Sequence, residues 1–182
     1  MDKFEERTIH TETVYDGKII RLEIDDVILP DGKPSKRELV RHPGAVALIP
    51  ITDDGKIVMV EQYRKALGTT LLEVPAGKLE PGEAPEVTAR RELEEETGYS
   101  SDKLEPVMTF ATSPGFADET IHLFAATGLH KVDNPAQGDE DEFVELLEIP
   151  LEEAVVMLDE GQIRDAKTAF AILWAERSGR RK

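Results

Sequence analysis

Gly77-Lys78-Leu79-Glu80-Pro81-Gly82-Glu83-Ala84-Pro85-Glu86-Val87-Thr88-Ala89-Arg90-Arg91-Glu92-Leu93-Glu94-Glu95-Glu96-Thr97-Gly98-Tyr99 is the stretch on which the fold of this chain turns. It opens in a loop punctuated by Gly and Pro, which begins at Pro75-Ala76. It then enters a run of Glu, Arg and Ala with few strand formers. Pro85 suits the first turn of a helix, where its missing N–H costs nothing, and Gly98 suits the position just past the end. On that helix Glu92, Glu95 and Glu96 stand at i, i+3 and i+4 and share a face, while Glu94 points elsewhere. Like charges at this spacing repel by roughly 0.2–0.5 kcal/mol per pair. A solvated acidic face is the plain reading of such a helix. Arg90 and Arg91 lie one turn back, however, and Glu83 is available to hold an arginine in place. The adjoining loop, Pro75 to Gly82, can set backbone carbonyls beside the carboxylates. Oxygen donors of that kind suit Mg²⁺ or Mn²⁺ rather than zinc.

Ahead of this stretch the chain reads as strands and turns. Tyr15-Asp16-Gly17-Lys18 and Pro30-Asp31-Gly32-Lys33 are turn sequences. Ile19–Leu29 and Glu38–His42 have strand character. Ala45–Ile51 is an apolar run suited to a buried strand, and Asp53-Asp54-Gly55 predicts a hairpin into Ile57–Val60. Beyond it, strands are expected at Pro106–Thr112, Ile121–Thr127 and Phe143–Ile149, with helices at Leu151–Glu160 and Asp165–Arg177. A mixed sheet with helices on its faces, in the α+β class, follows.

The 182 residues carry 38 acids against 22 Lys and Arg, a net charge of −16, and no cysteine. Disulfides, thiolate zinc sites and thiol catalysis are excluded. Nonspecific nucleic-acid binding and anionic membranes, which need a basic footprint, are poor fits. Nothing resembles a membrane span or a signal peptide, so a cytoplasmic protein is expected. The excess charge is concentrated: Glu73–Glu96 has eight acids and three bases, and Asp139–Glu160 has ten acids and no base. The four histidines, His10, His42, His122 and His130, are scattered and suggest no catalytic cluster.

Gly77, five residues, Glu83, seven residues, then Arg91-Glu92-Leu93-Glu94-Glu95-Glu96-Thr97-Gly98-Tyr99 resembles the Nudix box, GX5EX7REUXEEXGU with U aliphatic. Every fixed position matches, and Tyr99 in the last U position is a mild departure. The resemblance implies the Nudix fold, a mixed β-sheet sandwiched between helices. It also implies an N-terminal antiparallel β extension over 1–42, serving dimerisation, and a Nudix hydrolase domain over 43–182. It implies metal ligation by Glu92, Glu95, Glu96 and the Ala76 carbonyl, with Mg²⁺ as cofactor and Mn²⁺ or another divalent ion able to substitute. A Glu83–Arg91 salt bridge would orient the helix.

Ser113-Pro114-Gly115-Phe116, with Pro114 sixteen residues after Gly98, is similar to the ADP-ribose pyrophosphatase branch. Glu119, Glu61-Gln62-Tyr63-Arg64, Leu72–Gly77 and Asp165-Ala166-Lys167-Thr168 look like that branch too. The resemblance implies Mg²⁺-dependent hydrolysis of ADP-ribose to AMP and ribose 5-phosphate by a homodimer. Another nucleotide sugar such as GDP-mannose, or a non-hydrolytic ADP-ribose-binding module, are the alternatives. Pro114, Gly115 and Phe116 are expected in substrate binding. Arg64 is a candidate clamp for pyrophosphate, Glu119 for a ribose hydroxyl, and Tyr15 or Phe116 for adenine. Arg21, Arg37 and Arg41 are candidates to reach a partner's site. The catalytic base is expected in the acidic loop Asp139-Glu140-Asp141-Glu142, at Glu142 or Glu140.

Overall fold

The computed structural model describes residues 3–136, 138 and 143–179, and the chain resolves into two compact units. The first is Met1–Gly44 with Phe110–Ile121. Its sheet runs in the order β1 (Arg7–Asp16), β2 (Arg21–Ile28), β3 (Pro34–Arg41), all antiparallel. The Pro30–Lys33 turn links β2 to β3: Gly32 takes φ +84°, and its N–H reaches the Leu29 carbonyl at 2.9 Å. A side chain at that φ is strained, so glycine is required. Of these three strands β2 alone has buried residues, the alternate positions Glu23, Asp25 and Val27. The two buried acids are satisfied locally. Thr8 and Thr11 hydroxyls donate to Asp25, and Arg21 and Arg41 pair with Glu23. β1 is exposed along its whole length and has no buried stripe, so no alternation in its sequence marks it as a strand.

Phe110–Ile121 joins this unit by backbone pairing. The Val40 N–H donates to the Phe116 carbonyl at 2.8 Å, and the Asp118 N–H donates to the Val40 carbonyl at 3.1 Å. A parallel bridge pairs Val40 with Ala117.

The second unit, Ala45–Thr109 with His122–Lys182, holds the helices. Its strands are β4 (Ala45–Pro50), β5 (Lys56–Arg64), β6 (Thr69–Glu73), β7 (Ala76–Lys78) and β10 (Val144–Pro150). β8 (Tyr99–Ala111) and β9 (Thr120–Lys131) lie mostly in it as well. They form sheets ordered β7-β4-β9-β8 and β10-β5-β6. The helices are α1 (Pro85–Thr97), α2 (Leu151–Asp159) and α3 (Ala166–Arg177).

The expected hairpin at Asp53–Gly55 forms but is short. Gly55 turns the chain, Ile51 and Ile57 bridge antiparallel and the Thr52 N–H donates to the Lys56 carbonyl at 2.9 Å, after which β4 and β5 part into different sheets. Lys56–Gln62 of β5 pairs with β10, and Val60–Arg64 pairs with β6, so from Val60 onward the edge opposite β10 belongs to β6 rather than to β4. The turn is therefore a corner between sheets. One core cluster joins Val46 and Leu48 of β4, Val58 of β5, Ala89 and Leu93 of α1, Tyr99, Phe124 and Ala126. Two residues of α1 thus seat it on the sheet, four positions apart on one face.

Candidate active site

α1 forms against its own local electrostatics. Ala84 precedes it without a side-chain cap, although Pro85 suits its first position. Its last turn carries Glu94, Glu95 and Glu96 and no base, whereas the C-terminal end of a helix favours cations. Gly98 closes it in the left-handed region at φ +66°, its N–H donating to the Glu94 carbonyl at 2.8 Å. Tertiary contacts outweigh this unfavourable charge. Ala89 and Leu93 are buried in the core, while Glu92 and Glu96 are each 7% exposed. Two buried carboxylates near the end of a helix break the usual rules, and such breaks mark functional positions.

Arg91 gathers the acids. Its Nη1 donates to Glu92 Oε1 at 2.9 Å and to Glu95 Oε2 at 2.8 Å, and its Nη2 to Glu83 Oε2 at 3.3 Å. Burial works against its charge, but Glu92's field and the hydrogen bonds to Glu95 and Glu83 prevail and raise its pKa. Glu83 also accepts from the Thr88 hydroxyl at 2.7 Å. That bond, with Arg91, holds its pKa below the ordinary value against desolvation.

β7 meets the helix at the same place. The Ala76 N–H donates to Glu96 Oε2 at 2.9 Å, and the backbone of Gly77 lies against the Glu92 carboxylate. A Cβ at Gly77 would overlap that carboxylate, so the absent side chain is the space Glu92 occupies. As they stand, no three His, Asp or Glu groups among the described residues are gathered tightly enough to hold an ion. Arg91 lies between Glu92 and Glu95, and Glu96 is turned to a backbone N–H. The residue set still fits a hard divalent cation in two respects. Its side-chain donors are carboxylate oxygens. The glycine also leaves one of them room beside the backbone.

Arg64 is held by a neighbour. Its Nε and Nη2 donate to Glu73 at 2.6 and 2.8 Å, a two-point clasp on a carboxylate that is 2% exposed. Glu96 also lies within range of Arg64's charge and helps raise its pKa, after Glu73. Burial would push Glu73 up, but Arg64 and Lys167 outweigh it and leave its pKa lowered.

The remaining candidates among the described residues belong to the first unit. Arg37 pairs with Glu6 at 2.5 Å, and Arg41 pairs with Glu23 at 2.8 Å and Asp118 at 3.3 Å. Glu119 accepts from the Thr112 hydroxyl at 2.6 Å. Pro114 and Gly115 lie in a turn in which the Phe116 and Ala117 N–H groups donate to the Ser113 carbonyl. Phe116 and Tyr15 are exposed. Glu140 and Glu142 lie outside the described residues.

Sequence reasoning noted the Asp165–Thr168 helix start only for its resemblance and assigned its residues no role beside Glu73. Lys167 and Asp165 carry the second half of this ion network, and Thr168 lies beside it. The available signal was Asp165 as a helix N-cap, which places Lys167 and Thr168 in the first turn. Nothing local marks a lysine as buried.

Comparison with known proteins agrees with this geometry. The NUDIX domain model matches residues 40–171, and the model of the nucleoside diphosphate sugar hydrolase N-terminal domain matches residues 6–40. The chain is 58% identical to the methanol dehydrogenase activator of Bacillus methanolicus over 95% of this chain and 94% of that protein. It is 53% identical to the ADP-ribose pyrophosphatase of Bacillus subtilis (strain 168), over 97% and 95%. A solved structure titled as an ADP compounds hydrolase superposes with a TM-score of 0.83 over 97% of each chain; at 23% identity it speaks for the fold alone.

Proposed function

The chain belongs to the NUDIX domain family, and on that premise we propose that it hydrolyses the pyrophosphate of ADP-ribose to AMP and ribose 5-phosphate. The observation that carries a hydrolytic centre is the pair of buried carboxylates, Glu92 and Glu96, set against the backbone of Ala76 and Gly77. The ADP-ribose pyrophosphatase at 53% identity supports the choice of substrate.

Glu92, Glu95, Glu96 and the Ala76 carbonyl would hold Mg²⁺, with Mn²⁺ able to substitute. Such an ion, when bound, neutralises pyrophosphate charge and acidifies a water. Arg91 orients Glu92 and Glu95, Glu83 holds Arg91, and the Thr88 hydroxyl holds Glu83. Glu73 fixes the plane of the Arg64 guanidinium, which suits that side chain to bind phosphate oxygens. A glutamate at 142 or 140 takes the proton of the attacking water. Glu119, Pro114, Gly115, Phe116 and Tyr15 contribute to binding ribose and adenine. Arg37 and Arg41 serve the partner's site in a homodimer.

The N-terminal extension over 1–42 provides the dimer contact. The exposed Ile9 and Val14 of β1 support this role. The proposed setting is the cytoplasm, where nucleotide substrates are abundant.

The test is release of the nucleoside monophosphate (AMP from ADP-ribose, GMP from GDP-mannose) by the purified protein across ADP-ribose, GDP-mannose and nucleoside triphosphates, with and without Mg²⁺. ADP-ribose should turn over fastest and only with the metal. Faster turnover of GDP-mannose would overturn the substrate, and tight ADP-ribose binding without turnover would make the chain a binder. The 58% identity to a methanol dehydrogenase activator favours a second reading, in which the chain activates such a dehydrogenase. Adding it to a purified methanol dehydrogenase and following alcohol oxidation tests this directly.

A further inference from the structure

Lys167 is only 9% exposed and Thr168 fully buried, yet neither has a part in the chemistry above. Both lie in the first turn of α3, behind the N-cap Asp165. The Thr168 hydroxyl donates to Asp165 Oδ2 at 2.6 Å and accepts the Val74 N–H at 2.9 Å, a buried bond between residues 94 apart in sequence. Lys167 Nζ lies 3.1 Å from Asp165 Oδ2 and donates to Glu73 Oε2, the oxygen that also accepts from Arg64 Nη2.

These contacts fall on one short segment. Glu73 is held by Arg64 and Lys167, and the Val74 N–H by Thr168. The Pro75 carbonyl accepts from the Leu48 N–H of β4 at 2.8 Å. The Ala76 N–H then reaches Glu96, and Gly77 backs Glu92. So α3 and β4 grip residues 73–75 immediately before the two residues that touch the α1 carboxylates. Val74, the residue after β6, donates to a side chain rather than to a strand. Removing that hydroxyl leaves a buried donor unpaired and frees the segment to shift.

We propose that Thr168, together with Lys167 acting through Glu73, is a positioning residue for the α1 carboxylate centre. These two side chains set the Glu73–Ala76 segment so that Ala76 meets Glu96 and Gly77 meets Glu92. The inference rests on reading Glu92, Glu95 and Glu96 as ligands of a divalent ion. It extends that centre to the start of a helix some seventy residues further along the chain.

The deciding measurement needs no substrate. Mn²⁺ binding is measured by the loss of the free-ion EPR signal for the wild type, Thr168→Val, Thr168→Ser, Lys167→Met and Lys167→Arg, with a thermal melt of each. Removing an outer partner of a metal centre typically weakens affinity by 10–100-fold, so Thr168→Val and Lys167→Met should bind Mn²⁺ about tenfold more weakly. Thr168→Ser keeps the hydroxyl, and Lys167→Arg keeps the charge; both should stay near the wild type. The Mg²⁺ concentration for half-maximal turnover should follow the same order. Folded Thr168→Val or Lys167→Met with wild-type Mn²⁺ affinity overturns the proposal. So does an equal loss in Thr168→Ser, which would make bulk packing the cause. Should Thr168→Val fail to fold, the Lys167 pair decides alone. Wild-type protein that binds no Mn²⁺ refutes the metal-centre reading itself, whereas bound Mn²⁺ with indifferent variants refutes only the positioning role.

Discussion

Replacing Gly77 with alanine separates stability from function. A Cβ at this position comes well under 3.0 Å from three atoms of the Glu92 carboxyl group, closer than real Cβ contacts come. The obstacle is the far end of a flexible side chain, so Glu92 yields rather than the backbone of β7. An off-rotamer χ angle costs about 0.5–1.5 kcal/mol. Gly77 has no positive φ, so alanine fits the backbone and recovers about 0.4–1 kcal/mol through the unfolded chain. The melting temperature should therefore move by only a few degrees. Activity should not survive so well. The carboxylate must retreat by ~1 Å, and a misplacement of that size costs about 100-fold in rate. Steady-state kinetics with ADP-ribose at saturating Mg²⁺, beside a thermal melt, reads both quantities. Glu92→Asp in the same background tests the contact, because the shorter side chain withdraws from the new methyl. The double variant should lose less than the product of the two single losses, as touching residues are not additive. A Gly77→Ala protein with wild-type kcat, or one that no longer folds, would refute the reasoning.

Three further perturbations address the same unit. Glu96→Gln keeps an oxygen to accept the Ala76 N–H but removes the charge, so it should melt near the wild type and lose most of its turnover; unchanged kcat at saturating Mg²⁺ counts against the site. Glu73 has a folded pKa below the ordinary 4.5, because Arg64 and Lys167 outweigh its burial. Its contribution is thus present above 4.5 and lost as pH falls through the folded value. The urea midpoint should drop with acid in the wild type and drop less steeply in Glu73→Gln. Burial and the hydrogen bond to Glu148 push Tyr99 up to about 12 from 10.0, so its contribution is complete below pH 10 and fades as pH approaches 12. An ultraviolet phenolate titration should show one tyrosine ionising near pH 12 that is absent from Tyr99→Phe.

The helix was legible because its signals are local. Pro85 and Gly98 mark its ends to the residue, and the i, i+3, i+4 spacing puts Glu92, Glu95 and Glu96 on one stripe. The apolar runs at Ala45 and Ile57 were likewise legible as buried strands. Their pairing was not, because a buried strand is apolar on both faces and says nothing about which neighbour takes each edge. β1 escaped for the opposite reason, since a strand exposed throughout carries no alternation. The arginines show a third limit. Arg37, Arg41 and Arg64 read equally well as free cations for a phosphate, and each in fact holds an acid, Glu6, Glu23 and Glu73 respectively.

By itself the sequence determined the type of chemistry. A loop with Gly77 and Glu83, a helix with Arg91, and three carboxylates at helical spacing follow from neighbours within two dozen residues, where chain geometry leaves little freedom. The tertiary structure decided what those groups touch. Ala76 meets Glu96 across twenty residues, and Thr168 meets Val74 across ninety-four. It also decided that the Ser113–Phe116 turn packs with the N-terminal strands through Val40. Such contacts depend on which buried donors and acids remain to be satisfied once the sheets have closed, and no local spacing encodes that.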